Sequence, residues 1–227
     1  MDKTAIRDAA TIIVLRDRAT RPSVLMGQRG SSAAFMPNKF VFPGGAVDAV
    51  DATVPLAGTV DPRCRVNLKI DSALAPETLA AAAIRELWEE TGLILGAKAA
   101  WPTPPQGWRG FGASGHMPNP SGLRFVFRAV TPAGEPRRFD ARFFVVDAEQ
   151  LTGDLDDFSG AEDELGHLHW VPMDEVRNLE LPFITEVVLA EVRSRLPEAT
   201  APDEVPFFRN DDENRLVRWL GDKRPLG

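Results

Sequence analysis

Three glutamates, Glu86, Glu89 and Glu90, are set closely together in the run Arg85-Glu86-Leu87-Trp88-Glu89-Glu90-Thr91-Gly92-Leu93. At about 100° per residue, a helix gathers their carboxylates into an arc of about 100°. Ile84, Leu87 and Ala80 fall on the neighbouring arc, which suits a core-facing seam. Carboxylates crowded beside an apolar seam repel one another unless something neutralises them, and hard divalent cations with oxygen ligands, Mg²⁺ above all, do so. A bare Glu-Glu pair is ordinarily a solvated acidic face. Here the arginine, the spacing and the following glycine make the pattern far more specific.

The helix that must carry these residues is legible on both sides. Pro76 and Glu77 open it, since proline suits a first helical turn and an acidic side chain there meets the positive dipole end. An alanine-rich run follows, and Thr91-Gly92 supplies a stop, because glycine adopts the left-handed conformation at low cost. The spacing predicts a helix over 77–91.

The pattern Arg-Glu-aliphatic-x-Glu-Glu-x-Gly-aliphatic is expected by chance on the order of once in 10⁵ chains of this size at average residue usage. It resembles the signature of the Nudix hydrolases, G-x5-E-x7-R-E-U-x-E-E-x-G-U with U aliphatic. Glu77 fits that signature in its distance from Arg85. Phe42-Pro43-Gly44-Gly45 resembles the family's strand-to-loop entrance, but Glu77 follows Gly45 by 32 positions where the signature has six, so the box is split by about 26 extra residues.

The chain has 227 residues, enough for one domain with embellishments. With 44% hydrophobic and 26% charged residues it has the composition of a soluble globular protein. A net charge of −7 argues against nucleic-acid and acidic-membrane partners. It does not exclude a small phosphorylated substrate, because a metal-loaded acidic cluster presents local positive charge. The lone cysteine, Cys64, forms no internal disulfide and fits a reducing compartment. Met1-Asp2-Lys3 begins no signal sequence, Pro225-Leu226-Gly227 ends in no targeting tripeptide, and no stretch reaches membrane-spanning length, so a cytoplasmic location is expected.

Around the helix, residues 11–15 and 23–28 read as strands, separated by a polar turn and followed by Arg29 and a Gly-Ser connector. Residues 48–76 form the insertion, either a cover for the site or surface decoration, with a short strand or helical turn at 66–70. Residues 101–120 read as a long Pro/Gly-rich loop whose aromatics (Trp101, Trp108, Phe111) either pin it to the core or stack on a flat ligand ring. Strands at 123–131 and 138–146 pair as a hairpin. Arg138 and Arg142 share a face there, to contact phosphate or to pair with Asp140 and other acids. An acidic loop over 154–164 precedes a strand at 167–171 with His167 and His169, and an amphipathic helix at 182–196 is expected to bury Phe183, Val187, Val188 and Ala190. The tail holds two apolar clusters, 205–208 and 216–220, to dock on the domain or on a second subunit in a homodimer.

The resemblance implies an α/β fold, the Nudix α/β/α sandwich with a mixed sheet. The domain would occupy 1–196, with the insertion at about 48–76 and a C-terminal extension at 197–227. It implies Mg²⁺ or Mn²⁺ held by Glu86, Glu89, Glu90 and Glu164; the last matches a family glutamate six residues before a strand tryptophan, here Trp170, with Glu162 and Asp163 as rivals. Glu86, Glu89 and Arg85 are the catalytic candidates. Glu89 or Glu164 would accept a proton from water, Arg85 would orient a carboxylate, and Glu77 would be structural. Arg29, Gly44, Gly45 and Arg138 are the substrate-binding candidates.

Phe35-Met36-Pro37, the split box and Arg138-Phe139-Asp140 resemble the Nudix motif 19 branch. That implies cleavage of a nucleoside diphosphate derivative, coenzyme A or an acyl-coenzyme A, although the separate coenzyme A signature of other branches is represented only by the partial match 25–29. ADP-ribose or NADH pyrophosphatase activity is the alternative, as is a non-catalytic nucleotide-sensing module. An isomerase of isopentenyl diphosphate would need a catalytic cysteine, and Cys64 lacks the flanking residues for it.

Overall fold

The computed structural model describes residues 5–31, 33, 35–209 and 217–221, with the side chains of Val217 and Arg218 excepted. The readings placed on Met1, Asp2, Lys3, Ser32, Leu216 and 225–227 lie outside the described residues.

The architecture is organised by β1 (Ile6–Arg16), whose run of β-branched residues is buried on both faces. Side chains alternate across a strand. Ile12 and Val14 therefore enter one core, and Ile13 and Leu15 the other. Strand β8 (Arg138–Asp147) lies parallel to β1 over ten residue pairs and divides its apolar residues in the same way, Phe144 and Val146 against Phe143 and Val145. The other strands are β2 (Ser23–Arg29), β3 (Phe40–Val41), β4 (Gly44–Ala46), β5 (Gly96–Lys98), β6 (His116–Pro118), β7 (Arg124–Val130), β9 (Leu165–Pro172), β10 (Pro206–Phe208) and β11 (Val217–Trp219). The main mixed sheet runs β11-β10-β7-β8-β1-β2-β3, with β4 on β1 and β9 on β2; β5 and β6 form a separate pair.

Helices α1 (Pro62–Leu68), α2 (Pro76–Thr91), α3 (Arg109–Ala113) and α4 (Phe183–Ser194) complete the chain. The α2 alanines 80–83 are fully buried, and their small side chains let the helix lie close over β1. Leu79, Ile84 and Leu87 from α2 join the first core, while α4 covers the second. Helix α2 extends one residue earlier than expected and stops at Gly92, whose φ of 77° is the left-handed conformation the sequence anticipated.

Two local expectations are corrected. Helix α4 buries Thr185, Val188, Leu189 and Val192, whereas Phe183 is 66% exposed and Ala190 faces solvent. The helix carries apolar residues over more than one arc, and the second core selects among them. The insertion is neither a cover nor decoration between Val60 and Leu68. Asp61 caps α1 by accepting from the Arg63 and Cys64 amides at 2.9 and 3.2 Å, and Val60, Cys64 and Leu68 pack into the first core. The chain after Gly92 forms only an isolated bridge at Ile94 before β5.

Of the aromatics on the 101–120 loop, Trp108 and Phe111 are completely buried, and the loop contains α3 and β6. Beyond residue 196, Phe207 and Phe208 pair with Arg128 and Ala129 of β7, so the tail extends the sheet.

Candidate functional site

The acidic face of α2 lies against β4, whose glycines are tightly surrounded. A Cβ on Gly44 would come within 2.6–2.8 Å of Thr11 and the Ala10 carbonyl, and one on Gly45 within 2.5–2.6 Å of the Glu86 carboxylate. Space therefore requires glycine at 44, where backbone stands in the way, while a side chain at 45 would displace the Glu86 carboxylate. The Gly44 amide donates to Glu90 Oε2 at 2.8 Å. Glu90 Oε1 is buried and has no hydrogen-bond partner among the described residues.

Burial, reinforced by the charge on Glu86, holds the Glu90 pKa well above the ordinary carboxylate range against the opposing pull of the Gly44 amide. Burial also raises Glu86, to about 7 despite the neighbouring Arg85 guanidinium, and it raises Glu89. A buried acceptor without a donor and three crowded carboxylates held above their ordinary range are features that suit cation binding. The donor set is all oxygen, which suits a hard divalent ion. Among the described residues no three or more His, Cys, Asp or Glu side chains are arranged to hold a metal ion by themselves.

Arg85 is buried behind this face and does not reach outward. Its Nε and one terminal nitrogen clasp Asp51 at 3.0 Å each, and that terminal nitrogen also donates to the Ala46 carbonyl at 2.9 Å. The other terminal nitrogen forks between Glu86 at 2.9 Å and Glu89 at 2.8 Å. Burial opposes the guanidinium charge, but the hydrogen bond and charge of Asp51, with Glu86 and Glu89, more than compensate and raise its pKa.

Asp51 falls within 48–76, the stretch that the sequence reads as insertion, and is not among its candidate residues. It follows Gly45 by six positions, the step of the family signature, with aspartate in place of glutamate. Glu77 instead ion-pairs with Arg65 of α1. The extra residues therefore enter between Asp51 and Arg85, and the spacing from Gly45 was the available signal.

Strand register brings up the remaining acid. Arg29 pairs with Leu165 across β2 and β9, which places Glu164 beside it. Arg29 donates to Glu164 at 3.1 Å and to the Phe35 carbonyl at 3.0 Å. The Glu164 charge helps raise the pKa values of Glu86 and Glu90, whereas Glu162 acts on Glu89 and donates its amide to the Glu89 carbonyl at 2.7 Å.

Arg138 is placed differently. Its Nε donates to the Thr131 carbonyl at 3.1 Å in the β7–β8 hairpin. Arg142 is buried and ion-paired with Asp8. His167 and His169 are exposed on β9, where His169 Nδ1 lies 2.7 Å from the His167 carbonyl oxygen.

The NUDIX domain model matches residues 6–192. The chain belongs to the Nudix family. It is 30% identical over 182 residues to the Caenorhabditis elegans protein named "Putative nudix hydrolase 7", covering 74% of this chain but 52% of that protein, so it spans about half the relative's length. A crystal structure of a NUDIX hydrolase from Alicyclobacillus acidocaldarius superposes with a TM-score of 0.59 at 28% identity, over 82% of this chain and 90% of that one. The mixed sheet between helical layers is the fold of this Nudix relative. Among the described residues, no helix is long and apolar enough to cross a membrane.

Proposed function

We propose that this Nudix protein is a Mg²⁺-dependent (or Mn²⁺-dependent) pyrophosphohydrolase that cleaves the diphosphate linkage of a nucleoside diphosphate joined to a second moiety. The observation that carries the reading is the buried, unpartnered Glu90 Oε1 on a helix whose Glu86 and Glu89 are also held above the ordinary carboxylate range. Glu86 and Glu90 would hold the cation, with Glu89 and Glu164 beside them. The bound cation supplies polarisation of phosphate oxygens and acidification of a water.

The chain's own residues do the rest. The Gly44 amide fixes one Glu90 oxygen and leaves the other for coordination. Arg85 sets the spacing of Glu86 and Glu89. Glu89 is the proton acceptor: burial has raised its pKa toward the range useful for general base catalysis, and it is less enclosed than Glu90. Arg29, held by the Phe35 carbonyl, offers its positive charge to substrate phosphate from beside Glu164. Attack of water on phosphorus releases a nucleoside monophosphate and the phosphorylated second moiety.

Coenzyme A and its acyl esters are the proposed substrates, on the likeness of 35–45 and 138–144 to the motif 19 branch. A cytoplasmic location belongs to the same reading, supported by the single buried thiol of Cys64. The test is phosphomonoester release from coenzyme A, acyl-coenzyme A, ADP-ribose, NADH and dinucleoside polyphosphates, with each metal and with Glu90→Gln alongside. Cleavage of coenzyme A by the native protein alone is expected. Cleavage confined to ADP-ribose or NADH replaces the substrate, and nucleotide binding without cleavage replaces the enzyme by a sensor.

A further inference from the structure

Asp51 receives four donors from three directions: the Arg85 clasp, the Asp48 amide at 2.9 Å, and the indole N–H of Trp108 at 3.3 Å. Trp108 comes from the 101–120 loop, far from the acidic helix in sequence, and is completely buried. Its ring lies edge-on to Phe111 at 5.3 Å and tilted against Trp101 at 5.8 Å; Phe111 in turn meets Trp88 of α2 at 6.1 Å. A Cβ on Gly110 would come within 2.6 Å of the Trp88 ring, so the loop and α2 are in close register.

We infer that Trp108 is a positioning residue of the metal site, acting through Asp51 and Arg85 on the separation of Glu86 and Glu89. This rests on the proposed metal-dependent reading. The physical argument is geometric. Arg85 is the shared donor to Glu86 and Glu89, so its placement sets theirs. Asp51 alone gives Arg85 a two-point grip, and Asp51 Oδ1 is itself shared between Arg85 Nε and the Trp108 indole. Removing the indole donor leaves that buried oxygen with one donor fewer, and in a close-packed interior the Asp51–Arg85 pair resettles. Supporting partners of metal ligands commonly contribute ten- to a hundredfold to metal affinity. Phe111 packs on the same ring but gives Asp51 no polar contact, so it separates packing from the hydrogen bond.

The experiment is Mn²⁺ titration of the full chain, free ion read by electron paramagnetic resonance, with thermal melting in metal-free buffer. The proteins are native, Trp108→Phe and Phe111→Leu, plus one with benzothienylalanine at 108, which keeps the bicyclic shape without the N–H. Expected are a roughly tenfold weaker Mn²⁺ affinity for both position-108 variants and unchanged affinity for Phe111→Leu, even where its melting temperature falls further. Should Trp108→Phe fail to fold, the benzothienylalanine protein decides. Native-like Mn²⁺ binding without the N–H overturns the inference, as does equal weakening by Phe111→Leu. A native chain that binds no Mn²⁺ overturns the metal reading, and this inference with it.

Discussion

Two buried ionic networks in this protein differ in whether their charges balance. In the β7–β8 region, Arg128 grips both oxygens of Asp140 at 2.8 and 2.6 Å, and Arg142 ion-pairs with Asp8 and lies 3.4 Å from Asp140. Arg128 also donates to the Ile70 and Asp71 carbonyls at 2.9 Å each and lies over the Phe207 ring, tying the far end of the insertion and β10 to the sheet. Two arginines meet two aspartates there. At the α2–β4 contact, Arg85 faces Asp51, Glu86 and Glu89, while Glu90 is left to a backbone amide. Balanced burial holds a structure together. Surplus negative charge under burial stores a need for a cation, and its thermodynamic mark is raised carboxylate pKa values.

The contrast is tested most severely by Glu90→Gln. Removing a buried surplus charge at the site is expected to cost hydrolysis at least about a hundredfold, as loss of metal-site groups does, while the melting temperature in metal-free buffer stays level or rises. A fall in metal-free stability would place Glu90 with the balanced kind of network.

Asp140→Asn probes the opposite case. It leaves Arg128 and Arg142 with one carboxylate between them, and breaking a buried pair costs about 3–5 kcal/mol. Calorimetry should show that loss while Mn²⁺ affinity stays native; a changed affinity would couple the two networks.

A smaller effect is pH-dependent. Glu86 binds its proton more tightly folded, at about 7 against an ordinary 4.5. Between these values the folded state carries more protons than the unfolded one, so its stability contribution is full below about 4.5 and declines as pH rises through 7. Metal-free melting temperatures should fall across that window, and saturating Mg²⁺ should flatten the slope. A slope unaffected by Mg²⁺ would separate Glu86 from the cation.

The smallest effect is at Cys64, buried in the first core with its thiol pushed up to about 11 by burial. At pH 8 the folded protein should be inert to a thiol-reactive dye and release one equivalent on unfolding. Rapid labelling in the native state would show that the α1 segment opens.

The sequence by itself determined the α2 helix, its glutamate face, its left-handed stop at Gly92 and the strand at β1, because these rest on local rules: spacing at 3.6 residues per turn, a cap, a run of β-branched side chains. The β7–β8 hairpin was legible for the same reason. Asp51 was half legible, since its step from Gly45 matched while the glutamate of the signature did not. Which acid Arg85 would clasp is a non-local question, as is the choice between two ways of aligning a split motif.

Tertiary structure alone decided those, and it decided that Arg138 turns to its own hairpin, that the insertion's α1 fills the core, and which arc of α4 is buried. Register between β2 and β9 set Arg29 beside Glu164. Local pattern states what a residue is able to do; competition for a limited buried volume and a limited number of charge partners states what it does.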